Sequence, residues 1–162
     1  MYVHWVQLKV CRLTDMSLLK TLEQLFWKLK LCDPVTIKIR RRNVLGDLLQ
    51  KMKIFFSDKE ICPIKVEFVS FMSTESGVDS GGIGREMFSL LYDEVVGKLL
   101  QGPVKRHTFV HDLQRLDEND FYAYGQCVVL SLLHGYDAPH QFCHGVASFI
   151  LGNYTKKLHL FN

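Results

Sequence analysis

The chain lacks any pair of cysteines with Cys-x-x-Cys spacing, although it contains five cysteines among its 162 residues. The five are scattered and odd in number: Cys11, Cys32, Cys62, Cys127 and Cys143. This distribution argues against a disulfide framework and is typical of free thiols in a reducing compartment. We therefore expect a cytoplasmic or nuclear protein.

The sequence also lacks a long apolar run. Its longest uncharged stretches, within 121–136 and 138–155, contain Gln, Ser, His, Asn and several Gly, which makes them too polar to cross a bilayer. A strong excess of one charge is missing as well, because the net charge is only +3 and acids and bases are mixed along the chain. So mild a balance gives no sign of a nucleic-acid or membrane partner, and we expect neither.

The one dense basic run extends from Lys38 to Arg42 and is interrupted by Ile39. We interpret this run as a solvated strand edge or turn in preference to a phosphate-binding patch. Hydrophobic residues make up 48% of the chain and charged residues 23%, which supplies enough apolar material for a core and differs from the composition of a disordered segment. The length fits one domain.

The spacing of apolar residues predicts an α+β domain that is mostly helical and has a small β-element. One strand is predicted where Val35, Ile37 and Ile39 alternate with polar residues, and another over 64–69. Helices are predicted over 16–29, over 44–56 after an Asn43 N-cap, over 83–101, over 120–134 after Asp117 or Asn119, and from Pro139 to Gly152. We expect the first of these to stop before Asp33-Pro34, the third to end at Gly102-Pro103 and the fourth to end at Gly135. The helix over 120–134 is apolar nearly all round, so we expect it to be buried on most sides.

A Gly-rich turn joins the strand over 64–69 to the helix over 83–101. Gly81 and Gly82 lack a Cβ atom, so the backbone there can take a positive φ or lie close to a neighbour. Asp79 can accept a hydrogen bond from the unpaired N–H groups at the start of the helix. These properties are structural, and they do not require a ligand.

A phosphate cradle at the same turn is the functional alternative. The spacing argues against it, because Met87 occupies the third glycine position of a dinucleotide fingerprint and no Gly-Lys pair has P-loop spacing. An acid in the turn would also repel phosphate. We therefore interpret Arg85 and Glu86 as residues that lock the turn to its surroundings, and we expect no cofactor.

His140, Cys143 and His144 lie at positions i, i+3 and i+4 of the last predicted helix, where they could share one face. Zinc would need a fourth ligand, and no Cys-x-x-Cys pair accompanies the histidines, so we predict no metal site. His107 and His111 are also spaced i, i+4, but their segment has no clear period.

A catalytic cysteine needs a lowered pKa and a partner base or a positive neighbour. Cys143 is the best of five weak candidates, because it stands between two histidines in the sequence. Cys127 falls within a nearly all-apolar helix, so we assign it to the core.

The Gly-rich turn and its flanks resemble the opening segment of the HECT domain, the catalytic domain of one class of ubiquitin ligases. That family has a Val-x-Phe strand followed by a Glu-x-Gly-x-Asp-x-Gly-Gly-x-x-Arg-Glu-Phe-Phe turn, and the stretch from Val66 to Phe88 is similar to it. The matching motif residues are Glu75, Gly77, Asp79, Gly81, Gly82, Arg85 and Glu86. A second stretch supports the resemblance through Phe121, Gly125, His134 and Gly135, with Pro139 and Phe142 placed as in the family.

Two departures affect details of the turn. Met87 stands where the family usually has Phe, which is a volume-conserving change. About four residues, around 70–73, lengthen the hairpin that precedes Glu75.

The resemblance implies a partial HECT N-lobe over 35–152, preceded by a helical segment over 1–34 and followed by a tail over 153–162. It also implies ubiquitin transfer to a substrate lysine through a cysteine thioester, with ubiquitin, a conjugating enzyme or a full-length ligase as partners. The family's catalytic cysteine typically follows a Thr, and none of the five cysteines here does. We expect the chain to hold only the front of the domain.

No catalytic residue is therefore carried over from the family, and the motif residues are interpreted as scaffold. We expect that the chain alone forms no ubiquitin thioester. The alternative to a part of a ligase is a non-catalytic interaction module in the ubiquitin pathway.

Overall fold

The fold follows from a computed structural model that describes residues 20, 23–27, 30–55, 62–69, 74–75, 82–137 and 139–150. Strands and helices both occur in it, which confirms the predicted α+β class. Residues 23–27, 30 and 31 are helical, so the first predicted helix ends before Asp33-Pro34 as expected.

A small three-stranded sheet contains β1 (Val35–Ile39), β2 (Ile64–Val69) and β3 (Thr74–Glu75) in that order. β1 and β2 are parallel, with Val35 opposite Ile64 and Ile39 opposite Phe68, whereas β3 is antiparallel to β2. Alternate residues of β1 and β2 are buried, which confirms both predicted strands and their period of two.

Helix α1 (Val44–Phe55) connects the two parallel strands, as such a crossover requires. The other helices are α2 (Gly82–Val95), α3 (Leu113–Asp117), α4 (Asp120–Leu133) and α5 (His144–Ile150). A two-stranded hairpin, β4 (Leu100–Gln101) with β5 (Thr108–Phe109), lies between α2 and α3.

All but one of the buried apolar side chains of the described residues, Leu133 being the exception, pack into one cluster between the sheet and the helices. Its members are Ile37, Ile39, Val44, Leu45, Leu48, Leu49, Met52, Ile64, Val66, Phe68, Met87, Phe88, Leu91, Val95, Leu99, Leu100, Ala123, Tyr124, Cys127 and Leu130. Met87 is fully buried within it, at the position where the resemblance expects Phe.

The helix predicted over 83–101 is too long, because α2 ends at Val95. Gly97 has φ +82°, a left-handed conformation that stops a helix, and the N–H groups of Lys98 and Leu99 both donate to the Val95 carbonyl oxygen. The chain then enters β4, so Gly97 and not the Gly102-Pro103 pair is the stop signal.

The last predicted helix is also wrong at its start. Pro139 to Cys143 are not helical, since the chain pairs there with His107 in a parallel bridge centred on Phe142. Backbone bonds from the His107 N–H to the Gln141 oxygen and from the Cys143 N–H to the His107 oxygen hold this bridge. Helix α5 therefore begins only at His144.

Two predicted caps differ from the structure. Asn43 donates its side-chain amide to the Asp47 carboxylate, while the first two N–H groups of α1 donate to the carboxylate of Glu94 on α2 at 3.0 and 3.2 Å. Asn119 precedes α4 in a left-handed conformation and makes no side-chain capping bond. A capping acid fifty residues away along the chain leaves no local sequence signal.

Helix α4 is buried on most sides, as its apolar sequence predicts, because only Tyr122, Gly125 and Leu132 of its fourteen residues are exposed. Ala123, Tyr124 and Cys127 are at most 1% exposed, but Tyr122 and Leu132 are 48% and 43% exposed. The exposed residues share one narrow stripe of the helix, so the apolar sequence correctly indicated how much of it is buried.

Candidate functional site

In the sequence, the Gly-rich turn follows the β2–β3 hairpin and precedes helix α2. Glu75 pairs with Phe68 in the hairpin, and Gly82 is the first residue of α2. Three motif residues, Gly77, Asp79 and Gly81, lie outside the described residues, so their predicted roles stay predictions.

Glu86 joins helix α2 to the segment that follows β1. Its carboxylate accepts two hydrogen bonds from Arg41. The distance is 2.9 Å from Nε to Oε1 and 3.3 Å from Nη2 to Oε2. The guanidinium of Arg41 also lies 4.2 Å from the centre of the Phe68 ring, within cation–π range. The hydrogen bond from Arg41 holds the pKa of Glu86 below its usual value.

Arg85, the neighbouring motif residue, is exposed and forms no hydrogen bond or ion pair with the described residues. Gly82 is exposed too, and a Cβ atom built there would meet nothing within 4 Å. Neither a positive φ nor a close neighbour therefore explains a glycine at position 82.

The position that needs a glycine is Gly84, which the sequence analysis did not single out. Gly84 is buried, and a Cβ atom built on it would lie 2.5 Å from the Tyr136 hydroxyl oxygen and 3.0 Å from Cζ. Since real Cβ atoms do not approach that closely, helix α2 can pack on the Tyr136 ring only through a residue without a side chain. The sequence feature that could have identified Gly84 is the presence of a glycine on the apolar side of a predicted helix.

Tyr136 is brought to Gly84 by the end of helix α4. Gly135 has φ +75°, and the N–H groups of Gly135 and Tyr136 donate to the carbonyl oxygens of Leu132 and Ser131, which is the Schellman pattern. The prediction that Gly135 ends the helix is confirmed. This turn reverses the chain and sets the Tyr136 ring against α2.

His134 connects the same turn to the sheet. Its Nε2 atom accepts a hydrogen bond from the N–H of Ile64, the first residue of β2, at 3.2 Å. The His134 and Tyr136 rings are stacked, with 6.0 Å between centres and 4° between planes. Thus the two stretches that carry the HECT resemblance, around the Gly-rich turn and around His134-Gly135, contact each other directly.

Hydrogen bonds to one carboxylate, that of Asp47, fix the segment between β1 and α1. The Asp47 carboxylate accepts hydrogen bonds from the backbone N–H of Arg40, from the Arg40 Nε atom and from the Asn43 amide. Burial alone would raise the pKa of Asp47, but the hydrogen bonds and charge of Arg40 outweigh it, so the pKa of Asp47 is lowered. Asp47 is therefore ionised and structural.

Cys127 is fully buried in helix α4, as the sequence analysis expected of a core residue. Burial raises the pKa of its thiol to about 12, so the thiolate that a nucleophile requires is essentially absent at neutral pH. This residue is not a candidate for thioester chemistry.

Cys143, the candidate nucleophile, is partly buried and immediately precedes α5. It does not share a helical face with His140 and His144, because only His144 is helical. The His144 ring lies near Ser148, with 3.4 Å between Nε2 and Oγ, and no described side chain acts as a base toward Cys143. The structure thus does not align the three residues on one helical face, as the predicted helix would have done.

His107 and His111 are also kept apart from a shared helix, because β5 lies between them. His107 is buried, with its Nδ1 atom 3.2 Å from the Gln141 carbonyl oxygen, whereas His111 is exposed. Within the described ranges no three His, Cys, Asp or Glu side chains are grouped closely enough to hold a metal ion.

An open surface depression lies between the β4–β5 hairpin and α3. Lys98, His111 and Arg115 are among the residues that line it. Lys98 pairs with Glu94, and Arg115 pairs with Asp112 and Asp120, so both cations already serve the fold. None of the described helices combines the length and apolar character that a bilayer crossing requires.

No family model matches the chain, and no curated protein matches it. The described site can therefore be judged on its own geometry. It consists of a buried contact, a stacked pair and exposed ion pairs that hold three chain segments together. Such an arrangement holds the surface of these three segments in a fixed shape. The described site contains no activated nucleophile.

Proposed function

We propose that this chain is a HECT-like N-lobe unit that takes part in ubiquitin transfer by binding, without a catalytic cysteine of its own. The proposal places it in a reducing intracellular compartment. Its partners are ubiquitin, a ubiquitin-conjugating enzyme or a full-length HECT ligase.

The observation that carries the proposal is the contact between the two resembling stretches. Gly84, inside the first stretch, packs against Tyr136, which directly follows His134-Gly135 of the second. Gly84 and Tyr136 stand at positions that the family's pattern leaves open, so their contact supports the proposal by placing both stretches in one folded unit.

The cysteine environments support a role in binding rather than in catalysis. Cys127 is buried with a raised pKa, and Cys143 has no described partner base. A thioester-forming cysteine needs an accessible thiolate, and buried Cys127 does not supply one.

The test begins with a thioester assay on the whole chain. Conjugating enzymes charged with ubiquitin are mixed with the purified chain, and adducts that a reducing agent removes are sought. A complete HECT ligase serves as the positive control. We expect an adduct on the control and none on this chain.

The second arm measures binding by NMR titration of the isotope-labelled chain. Ubiquitin, each conjugating enzyme and the isolated catalytic domain of a HECT ligase are added separately. We expect at least one to bind with a dissociation constant below about 1 mM, the weakest affinity that such a titration resolves readily. Absence of binding to all three, or a reducible adduct on any cysteine, would overturn the proposal.

A further inference from the structure

The outer edge of β1 is open in the part of the chain that the structure describes. β1 is the first strand of the sheet, and only β2 pairs with it. In a parallel ladder, alternate residues direct both backbone groups toward the neighbouring strand. The Val35 N–H donates to the Pro63 oxygen at 2.8 Å, so Val35, Ile37 and Ile39 face β2 while Thr36 and Lys38 face away.

The next outward residue shows where this edge ends. The N–H of Arg40 donates to the Asp47 carboxylate at 2.9 Å, and the Arg40 carbonyl oxygen accepts from the Asn43 N–H at 3.0 Å. The open edge therefore consists of the N–H and C=O groups of Thr36 and Lys38. The outward N–H group of Arg40, just beyond this edge, already donates to an acidic side chain.

The side chains around this edge are basic. Lys38 on β1 and Lys65 on β2 are exposed on the solvent face of the sheet, and Arg42 is exposed just beyond the strand. Arg40 and Arg41 are paired with Asp47 and Glu86, but Lys38, Lys65 and Arg42 form no ion pair with a described acid. Glu67 stands opposite Lys38 in the register without an ion pair between them.

We propose that this edge binds an extended acidic segment of a partner protein as an added β-strand. Backbone groups of Thr36 and Lys38 would supply the hydrogen bonds, and the lysines would select acidic side chains. A second copy of the chain fits less well, because antiparallel pairing of two β1 strands would place Lys38 near its counterpart. This inference depends on the edge geometry and stands apart from the HECT resemblance.

The basic side chains also explain why this edge would pair selectively, and not with every strand that it meets. Lysine on an edge strand discourages pairing with most other strands. An apolar strand would have to remove water from the lysine ammonium group, and a basic strand would be repelled by it. An acidic strand is favoured by the same charges. The edge is thus selective for the sign of the charge on its partner.

The test uses a synthetic peptide of about eight residues that alternates Glu with Val, a length typical of one strand. It is titrated into the whole isotope-labelled chain, and amide chemical shifts and hydrogen exchange are recorded. We expect the amide protons of Thr36 and Lys38 to shift and to exchange more slowly. Ile37 and Ile39 provide the internal control, because their amides are already in the ladder.

Two altered peptides test the mechanism without changing the protein. A peptide N-methylated at alternate residues cannot complete the ladder, and we expect it to bind about tenfold more weakly. A peptide with Lys in place of Glu should bind more weakly still. Equal binding of the methylated or the basic peptide would overturn the proposal, as would the largest shifts lying outside 35–42.

Charge variants of the protein complete the test. Lys38→Glu should weaken binding of the acidic peptide about twofold to fivefold, since an attractive cross-strand pair becomes repulsive. Arg106→Glu, at an exposed position between β4 and β5 and remote in sequence, changes the net charge equally and should have a smaller effect. Equal effects of the two variants, or concentration-dependent pairing of the chain with itself through β1, would contradict an acidic partner.

Discussion

The hydroxyl group of Tyr136 lies so close to the Cα atom of Gly84 that a Cβ atom there would be only 2.5 Å from the oxygen. The Tyr136 ring has little freedom to retreat, because it stacks on His134 and lies 5.5 Å from the Phe88 ring centre. This contact joins the end of α4 to the start of α2. It is the point at which the two stretches with HECT-like sequence meet.

Gly84→Ala is expected to destabilise the protein. Alanine gains about 1 kcal/mol in helix propensity, but forcing a methyl group into a filled contact costs about 1–3 kcal/mol, so we expect a net loss near 1 kcal/mol. Urea denaturation measures the free energy of unfolding. Gly82→Ala is the matched control, because a Cβ atom there meets nothing and should cause no loss.

Removing the hydroxyl distinguishes this contact from a general effect on the helix. In the Gly84→Ala background, Tyr136→Phe takes away the nearest atom and should restore part of the lost stability. If the second change adds a further loss, or if Gly82→Ala destabilises as much as Gly84→Ala, the steric explanation is wrong.

Glu94 should stabilise the start of α1 from a distance. Its carboxylate accepts hydrogen bonds from the N–H groups of Val44 and Leu45, so Glu94→Ala leaves two helix-terminal donors without that partner. We expect a loss of about 1–2 kcal/mol, the size of a typical capping effect. The neighbouring Asp93 is exposed, and Asp93→Ala should change stability by less than about 0.5 kcal/mol.

Denaturant midpoints of the two variants decide this prediction. Because both changes remove one acid from adjacent positions of the same helix, differences in net charge and helix propensity largely cancel. Equal midpoints for Glu94→Ala and Asp93→Ala would show that the carboxylate does not cap α1.

The stability contributed by Asp47 should depend on pH. The pKa of Asp47 is lowered from its ordinary value of 3.8, so the folded state binds this proton less readily than the unfolded state does. Its contribution is therefore fully present above the unfolded pKa and is lost as the pH falls below that value toward the folded pKa. The difference in unfolding free energy between the natural chain and Asp47→Asn should thus be constant near neutrality and shrink below about pH 4.

Urea denaturation of both proteins at several pH values between about 2 and 7 measures this difference. Glu86→Gln is a useful comparison, because Glu86 also has a lowered pKa but is far more exposed. A difference for Asp47→Asn that stays constant down to the lowest pH would contradict a lowered pKa.

Cys127 should be unreactive in the folded protein. It is fully buried and its pKa is about 12, so alkylation requires the chain to open. Exposed Cys32 is the internal control, and we expect Cys127 to react more slowly by a factor on the order of 1,000 under native conditions. Peptide mass spectrometry after timed alkylation gives both rates.

Addition of urea should abolish the difference between the two thiols, since unfolding exposes Cys127. Comparable native rates for Cys127 and Cys32 would show that the core around α4 opens readily. They would also remove one of the two arguments against a catalytic thiol in this chain.

The sequence by itself determined the α+β class, both parallel strands, α1 and the stop of α4 at Gly135. These features depend on neighbours within a few residues: alternation of Val35, Ile37 and Ile39 produces a half-buried strand, and a glycine adopts the left-handed turn. For the candidate site, the sequence identified the junction around Gly82 to Glu86 and the second stretch at His134.

Only the tertiary structure decided which of these residues meet. The cap of α1 by Glu94, the pairing of His107 with Phe142 that delays α5, and the need for a glycine at position 84 all involve partners far apart in the chain. Periodicity reports which face of an element is apolar, but it does not report what that face packs against. Contacts between distant segments arise from the filling of one core, and so they appear only once the chain is folded.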